Sequence, residues 1–298
     1  MHLFRRLLAI SGVLVGGLTA AMPAMAQTTA NTAKQPFMSP HPWQFGMQTA
    51  HSPVEHGVHN LNSLVTWLMF IVTLFVAGLL LTVAYRFSNK RHPVASRTSH
   101  NTVLEVAWTL IPVLILVVIA IPSFRLIYFE DRARDPDMTI KVTGHQWYWE
   151  YTYPDQGKID FTSYMVPNDQ LKPGQLRLLD VDNQLVLPAG KTVRILITSG
   201  DVIHSFFIPS LGVQRYAIPG HTIETWAKID VPGEYRGECN QICGTNHSFM
   251  PISIHAVTPQ QFTEWVAQAK VKFAGDAPPP SAPQTDATRP IAVAQVQP

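Results

Sequence analysis

Both cysteines of the chain lie in one short string, GECNQICGTNHSFMP at 237–251. Cys239, Cys243, His247 and Met250 follow one another with the spacing C-x3-C-x3-H-x2-M. Two thiolates, an imidazole and a thioether form a soft donor set, which favours copper over hard cations such as magnesium or calcium. We therefore expect these four side chains to bind copper.

Two alternatives explain the cysteines without copper. A disulfide between Cys239 and Cys243 suits an exported chain. However, closing so small a loop constrains the unfolded chain little, and a disulfide gives His247 and Met250 no role. Structural zinc sites are usually built from Cys and His alone, so Met250 is unusual for zinc as well. The sequence favours copper and leaves both alternatives open.

The string lacks a second imidazole, and His204 is the best candidate to supply it. It lies in GDVIHSF at 200–206, between predicted strands and one loop away in a β-sandwich of this size. Taken alone, a histidine at a strand end is more often a surface or core residue. His221 and His255 are weaker candidates, because one follows a turn and the other lies within a predicted strand.

Two thiolates rather than one favour a binuclear site. One Cys with two His and one Met would describe a mononuclear blue-copper site. Two sulfurs that bridge two coppers would give each metal a share of both sulfurs and one imidazole. Met250 and a backbone carbonyl would then fill the weak fourth positions. An electron shared by two ions changes the geometry little, which favours fast electron transfer.

Composition points to a membrane protein with an uneven charge. Of 298 residues, 46% are hydrophobic and only 14% are charged, against about 25% charged in soluble domains. Residues 125–298 carry 18 acids and 15 Lys/Arg, a net charge of −3, whereas residues 1–124 carry 2 acids and 7 bases, a net charge of +5. A mildly acidic domain fits an acidic docking face and argues against nucleic-acid binding.

The start of the chain predicts export. Arg5 and Arg6 precede an apolar stretch at 7–18, and the small-residue string AMA at 24–26 is typical of a cleavage site. The apolar run is short and is interrupted by Gly and Pro, so cleavage is favoured over a third membrane span. The mature chain would begin at Gln27.

Two later apolar stretches are each long enough to cross the ~30 Å hydrocarbon core of a bilayer. Between them, residues 86–100 contain four bases and no acid, which is typical of a loop that stays in the cytoplasm. Pro112, inside the second stretch, should kink that helix. We therefore predict an out–in–out hairpin in a bacterial inner membrane, with the C-terminal domain in the periplasm. The predicted segments are a signal peptide at 1–26, a periplasmic arm at 27–60, a first span at 61–85, a cytoplasmic loop at 86–102 and a second span at 103–124.

The rest of the chain predicts an all-β domain. Short β-branched runs at 193–197 and 252–257 are bounded by Pro and Gly, and further prolines punctuate the region 138–257 as turns. Many short strands at this spacing predict a sandwich or Greek-key barrel. Thr258, Pro259 and Gln261 form a helix-start signature, so the domain at 125–272 should end in a helix. The Pro-, Ala- and Gln-rich tail at 273–298 should be disordered.

The string GECNQICGTNHSFMPI resembles the binuclear CuA loop of the subunit 2 family of cytochrome c oxidases. Further segments that resemble this family are GHQWYWEYTYPD, SYMVP, LKPGQLRLLDVDNQLVLP, DVIHSFFIPSLGV and EVAWTLIPVLILV. The resemblance implies a cupredoxin-like barrel on a two-helix anchor, partnered with subunit 1 and other oxidase subunits. It also implies electron transfer from cytochrome c through CuA to haem in subunit 1, coupled to oxygen reduction and proton pumping.

The resemblance also implies roles for single residues. Cys239 and Cys243 would bridge the coppers, His204 and His247 would be terminal ligands, Met250 the axial sulfur and Gln241 the backbone-carbonyl donor. Most relatives have Glu at the position of Gln241, where its carboxylate helps bind an interfacial magnesium. Because hard cations prefer charged oxygen ligands, the neutral amide of Gln241 puts magnesium binding here in doubt.

Further roles concern electron and proton paths. The resemblance makes Trp147 the surface aromatic that receives the electron; the alternative is a strand aromatic that shares a core face with Trp149, Tyr151 and Tyr153. Glu105, near the cytoplasmic end of the second span, would be the mouth of a proton path, or simply a first-turn acid. Acids that could dock a basic cytochrome c are Asp201, Asp180, Asp182 and Asp155.

Two rival functions share this architecture. One is the quinol oxidase counterpart, a subunit of the same shape without copper; the other is a membrane-tethered copper-binding or copper-delivery protein. All six copper positions are filled here, which favours the metal-loaded reading over the first rival. The sequence contains no CxxCH, so no covalently attached haem is expected in this chain.

Overall fold

The computed structural model describes residues 38–94, 96–157 and 159–274. The predicted signal peptide at 1–26, the first part of the arm and all but the first two residues of the predicted tail at 273–298 lie outside these ranges. Those predictions therefore stay predictions. The described residues form two long helices followed by a β-sandwich and a third helix.

The two long helices begin at side-chain caps. Helix α1 (Pro53–Arg86) has Pro53 at its first position, and the Ser52 side chain accepts a hydrogen bond from the Glu55 amide. Helix α2 (Thr102–Asp131) begins at Asn101, whose side chain accepts from two backbone amides of the first turn, and continues through Pro112 and Pro122. Both helices are long and apolar enough to cross a membrane, and the apolar stretch of neither is buried against the rest of the protein.

Both helices extend beyond the predicted spans at the domain side. Helix α1 starts eight residues before the span predicted at 61–85, and α2 continues to Asp131, seven residues beyond the predicted end at 124. The β domain satisfies the last carbonyls of α2, which have no partner within the helix. The Trp226 indole N–H donates to the Phe129 carbonyl at 3.0 Å, and Arg215 donates to the Glu130 carbonyl at 3.2 Å. These bonds fix the domain to the end of the helix.

Ten strands form two five-stranded sheets that face each other. Their bounds are β1 (Met138–His145), β2 (Tyr148–Tyr153), β3 (Ile159–Ser163), β4 (Leu185–Pro188), β5 (Thr192–Ser199), β6 (His204–Ile208), β7 (Val213–Ala217), β8 (Ile223–Lys228), β9 (Gly233–Cys239) and β10 (Pro251–Val257). The strand order is β3-β2-β1-β5-β8 in one sheet and β4-β10-β9-β6-β7 in the other. Only β1–β5 and β4–β10 pair in parallel among these described strands. The predicted all-β sandwich is confirmed.

The core lies between the two sheets. Strand β2 alternates strictly, and Trp149, Tyr151 and Tyr153 are fully buried. The predicted aromatic face of this strand is therefore confirmed for these three residues. The alternation also holds along β5, where the inward residues are buried and the others are not. This period of two is expected of strands with one face in a core.

Helix α3 (Pro259–Lys272) covers one end of the sandwich. The Thr258 side chain accepts from the Gln261 amide while the Gln261 side chain bonds the Thr258 backbone, so the predicted capping box is present. Phe262, Val266 and Ala269 are buried, and Trp265 packs against the same core. The predicted helix and its apolar face are confirmed.

A buried polar cluster holds the crossover segment 164–184 on the outer face of the second sheet. Arg236, on β9, is 7% exposed and pairs with the Asp180 carboxylate at 2.6 Å and the Glu234 carboxylate at 2.7 Å. Glu234 also bonds the His255 ring on β10. Burial alone would raise the pKa of Glu234, but the hydrogen bonds from His255 and Arg236 outweigh burial and lower that pKa to about 2. The bond to Glu234 raises the pKa of His255.

The cluster should make stability depend on pH. Because the folded pKa of Glu234 is depressed from 4.5 to about 2, its stabilisation is complete above the unfolded value and is lost as pH falls from about 4.5 toward 2. Glu234→Gln should lower the free energy of unfolding by about 1–3 kcal/mol at pH 6, after discounting for solvent screening. The variant should also lose stability less steeply between pH 5 and 3. Thermal unfolding followed by near-UV circular dichroism measures both effects. The exposed Glu264→Gln is the control, and equal pH profiles for the two variants would contradict the assignment.

Candidate metal centre

The predicted donors come from two neighbouring strands and the loop that follows one of them. Cys239 ends β9, Cys243 lies in the loop, His247 opens a single 3-10 turn and Met250 immediately precedes β10. A hydrogen bond from the Cys239 amide to the Met250 carbonyl, 3.4 Å long, closes the loop at its base. His204 opens β6, which pairs with β9 so that Phe206 faces Cys239. Strand pairing thus brings His204 beside the loop.

The donor atoms converge on the two sulfurs. One donor atom each from His204, Cys239 and Cys243 lies within 4.8 Å of the others, and all three residues are buried. The sulfurs are 3.9 Å apart. Cys243 Sγ lies 3.6 Å from His247 Nδ1 and 3.5 Å from Met250 Sδ. Cys239 Sγ lies 3.3 Å from the backbone oxygen of Gln241. The structure therefore brings together all six residues that the sequence predicted.

His204 is held in one orientation by its surroundings. Its Nε2 lies 2.8 Å from Asp201 Oδ1, while its Nδ1 is buried with no hydrogen-bond partner. A carboxylate on one ring nitrogen fixes the tautomer and leaves the other nitrogen free to bind a metal. Gly144 provides the space for the ring, because a Cβ atom there would lie 2.9 Å from His204 Cδ2.

Burial makes the Cys243 thiol dependent on a cation. Burial, followed by the adjacent Cys239, raises the pKa of the Cys243 thiol to about 12. This thiol therefore resists ionisation unless a positive charge lies beside it. Thiolates, two imidazoles and a thioether also match the soft preferences of copper, so the residues fit this metal. The 3.9 Å separation of the sulfurs, with both cysteines free, is far from the ~2.05 Å of a disulfide.

Trp147 lies outside the strands, beside the metal-binding loop. It sits in the two-residue turn between β1 and β2 and is half-buried. Its ring packs against Gly244, where a Cβ would lie 2.9 Å from Trp147 Cζ2. The preceding Gln146 side chain donates to the Cys243 carbonyl at 2.7 Å. Trp147 is therefore not one of the fully buried residues of the β2 face, although its partly buried ring packs against the same core.

Glu105 and two of the four predicted docking acids occupy different environments. Glu105 lies in the first turn of α2, where its carboxylate accepts from the Asn101 amide at 3.2 Å. Asp201 accepts from the Gln146 amide at 2.7 Å, at the tip that carries Trp147. The exposed Asp182 accepts from the Tyr164 amide at 2.8 Å; Tyr164 stacks on Tyr148, so Asp182 lies at the same end of the sandwich.

The other two acids need correction. Asp180 is 4% exposed and pairs with Arg236, so it is not available to a protein partner. Asp155 is exposed but accepts from the Thr139 amide at 2.7 Å, near the start of β1. It therefore lies at the opposite end of the β1–β2 hairpin from Trp147. Burial and the direction of a strand decide these positions, and neither is visible in the sequence of a single acid.

Three supporting residues escaped the sequence reasoning. Gly144 accommodates His204, Gln146 holds the Cys243 carbonyl, and Gly237 allows β9 to approach β6, since a Cβ there would lie 2.1 Å from the Phe207 carbonyl oxygen. Gly144 and Gln146 stand in GHQW, directly before the aromatic run, and Gly237 opens the GECN string. Their proximity to predicted site residues was the only available signal.

A β-sandwich with a buried His/Cys/Cys group, carried on two helices able to span a membrane, defines a membrane-anchored cupredoxin-like protein. Residues 138–257 match the family described as "Cytochrome C oxidase subunit II, periplasmic domain", and residues 40–126 match its "transmembrane domain". The chain belongs to the cytochrome c oxidase subunit II family. It is thus a subunit of a haem–copper oxidase, an oxidoreductase complex, and its β domain is of the type that bears CuA.

Individual relatives agree with this assignment. The chain is 47% identical over 228 residues to "Probable cytochrome c oxidase subunit 2" of Rickettsia bellii (strain RML369-C), covering 76% of this chain and 85% of the relative. It is 44% identical over 232 residues to "Cytochrome c oxidase subunit 2" of Oenothera berteroana, covering 76% and 90%. The crystal structure of the periplasmic domain of subunit II (CoxB) of Bradyrhizobium japonicum is 47% identical, with a TM-score of 0.44, and covers 47% of this chain and 98% of that one.

Removing the Asp201 carboxylate should weaken metal binding. Asp201→Ala leaves His204 Nε2 without its acceptor, so the ring can adopt the tautomer that protonates Nδ1. Loss of such a partner costs about 10–100-fold in metal affinity. Competition for Cu(II) with a chelator of known affinity measures the loss. Asp201→Asn, which keeps an acceptor oxygen, should recover part of the affinity, and Asp182→Ala should change nothing. An unchanged affinity in Asp201→Ala would contradict the positioning role.

Proposed function

We propose that this chain accepts electrons from cytochrome c at a binuclear CuA centre and passes them to the haem groups of subunit 1. There, oxygen would be reduced to water with coupled proton pumping. The observation that carries this proposal is the convergence of six soft or carbonyl donors on two sulfurs 3.9 Å apart. A copper pair bound there would supply a one-electron site that changes shape little between its redox states.

The residues of the chain would hold that pair in a fixed, water-poor setting. Cys239 and Cys243 would hold the copper through their thiolates, His204 and His247 through their imidazoles and Met250 through its thioether. Gln241 would contribute only its backbone oxygen. His204 and both cysteines are buried, whereas His247 is half-buried. One side of the site therefore lies near the surface and the other faces the core.

Trp147 is proposed as the residue that receives the electron. Its ring touches Gly244, one residue beyond Cys243. The side chain of the neighbouring Gln146 donates a hydrogen bond to the Cys243 carbonyl, and the backbone N–H of Gln146 donates one to the Asp201 carboxylate. The turn is thereby connected to both sides of the site. A half-buried aromatic beside the metal loop offers a short path from the surface to the sulfurs.

The proposed docking surface lies at the end of the domain that carries Trp147. Asp201 and Asp182 lie beside the turn that carries Trp147, so they are the proposed acids for a basic cytochrome c. Asp180 and Asp155 are not part of this surface.

The two apolar helices would anchor the chain in a bacterial inner membrane with the β domain in the periplasm. The loop between the helices, which carries four bases and no acid at 86–100, would then lie in the cytoplasm.

Two further roles are proposed with different support. Glu105, at the loop end of α2, would open a proton path toward subunit 1, because a carboxylate beside the membrane core can exchange protons with the cytoplasm. Gln241 would hold magnesium more weakly than a carboxylate does, because its amide oxygen carries no net charge to attract a hard cation. The neutral side chain affects only the magnesium, since copper needs just the Gln241 backbone oxygen.

Copper loading tests the proposed function. The purified full chain, with its thiols reduced and supplied with equal amounts of Cu(I) and Cu(II), should bind two coppers and give the spectrum of a mixed-valence pair by electron paramagnetic resonance. Cys239→Ser should lose this spectrum, because one bridging sulfur is gone, whereas Ser205→Ala, beside His204 in β6, should keep it. One copper per chain, or preferential binding of one zinc, would contradict the binuclear centre.

Replacing Trp147 should separate electron acceptance from copper binding. In the assembled oxidase, Trp147→Phe should slow electron transfer from reduced cytochrome c by roughly tenfold or more, the size of a loss at an interface anchor. The copper spectrum should not change, because no ligand is altered. Stopped-flow oxidation of cytochrome c measures the rate. Trp43→Phe, at a side chain that is 90% exposed, is the control. An unchanged rate in Trp147→Phe would remove its proposed role.

A further inference from the structure

A cationic cleft lies where the membrane helices join the β domain. Its volume is about 250 Å³. Its lining includes the first residue of α1, the end of α2 with the segment that follows it, and strand β8. The side chains that matter here are those of Phe129, Arg132, Arg134, Trp226 and Lys228.

The cleft is poor in compensating acid. No carboxylate lines it among the described residues. Arg132 Nε lies 3.6 Å from an Asp131 carboxylate oxygen, and the nearby Asp137 is paired with Lys191 at 3.0 Å. Within the described part of the chain, no carboxylate oxygen lies within 4 Å of the charged nitrogens of Arg134 or Lys228, although Lys228 is near enough to Asp137 to contribute to the lowered pKa of that carboxyl. Arg134 and Lys228 therefore have no close ion-pair partner, which suits a bound anion.

A second, apolar cleft of about 430 Å³ adjoins the cationic one, because Phe129 lines both. On α1 the lining residues Pro53, Gly57, Leu61 and Leu64 recur every three or four positions, so they lie on one face of the helix. On α2, Pro122, Leu126 and Phe129 do the same. Together, the two clefts adjoin at Phe129 and form a groove that runs from the β domain along the helices.

The groove has the polarity profile of a lipid at a bilayer surface. The predicted span of α2 ends at residue 124, so Asp131 lies about 10 Å beyond the hydrocarbon edge at 1.5 Å per residue. This is the level of the headgroups, where Trp side chains are enriched and Lys and Arg attract anionic lipids. Arg125 lines the apolar cleft at the boundary between the two zones.

We propose that this groove binds an anionic phospholipid of the outer leaflet. Its phosphate would lie among Arg132, Arg134 and Lys228, and an acyl chain would run down between α1 and α2. Charge complementarity at the top and an apolar lining below favour a lipid over a protein segment. The site is independent of the copper centre, so either can exist without the other.

Native mass spectrometry of the full chain tests the proposal, with dioleoylphosphatidylglycerol as the probe. One molecule should be retained, and dioleoylphosphatidylcholine should bind more weakly. The triple variant R132Q/R134Q/K228Q should weaken binding of the anionic lipid roughly 100-fold, at about fivefold per cation. The matched control K141Q/K172Q/R177Q removes three exposed cations elsewhere and should bind like the native chain. Equal binding by the two triple variants would overturn the proposal, as would full competition by soluble glycerol phosphate.

Photo-crosslinking in the assembled oxidase distinguishes a bound lipid from a bound protein segment. A photo-crosslinking residue at Leu64 should label a phospholipid in the native membrane, and labelling of subunit 1 alone would overturn the assignment. Near-UV circular dichroism of each variant verifies that the domain has folded, and a triple variant that has not folded is replaced by the single change R134Q. That change should weaken lipid binding about fivefold, and unchanged binding would again count against the site.

Discussion

The hydrogen-bonded contact between strands β6 and β9 is the constraint on which the metal site depends. It aligns Phe206 with Cys239, and so sets His204 beside a loop that begins thirty-five residues later in the chain. The contact needs Gly237, because any side chain there would collide with the Phe207 carbonyl. A displacement of one strand by one residue would turn His204 away from the sulfurs, since adjacent side chains of a strand point to opposite faces.

Residues around this contact restrain the His204 ring and the backbone of Cys243. Asp201 orients His204, Gly144 leaves space for its ring, and Gln146 holds the Cys243 carbonyl. These groups belong to the end of β1, to the β1–β2 turn and to the segment before β6, which is distant from the other two in sequence. Because the interior of the sandwich is densely packed, small shifts in one of them would be transmitted to the others. The site is therefore held from outside the loop that carries most of its donors.

The opposite end of the domain is bonded to the end of helix α2. The last carbonyls of α2 would be unsatisfied near the membrane surface, and side chains of β7 and β8 bond them. The domain therefore stands at a defined height above the bilayer. The same joint leaves three cations around a cleft that continues into the groove between the helices. Anchoring and the proposed lipid site thus arise from one structural feature.

The sequence alone determined the composition of the site and the types of element around it. Cys239, Cys243, His247 and Met250 lie close together in the sequence, so a single short loop is enough to bring their side chains together. The apolar spans, the alternation along β2 and the capping box at Thr258 are also local patterns with a direct physical cause. For this reason the two long helices, the all-β domain and its final helix could be predicted without coordinates.

Tertiary structure decided which distant residues meet. Asp180 and Asp182 are two positions apart, yet one is buried against Arg236 and the other is exposed. Trp147 continues the pattern of three buried aromatics, but it lies in the turn where the chain reverses and is only partly buried at the edge of the core. The roles of Asp201 and Gly144 likewise depend on how strands pair across the sheets. Such pairings involve residues far apart in the chain, and no short stretch of sequence carries the information that selects them.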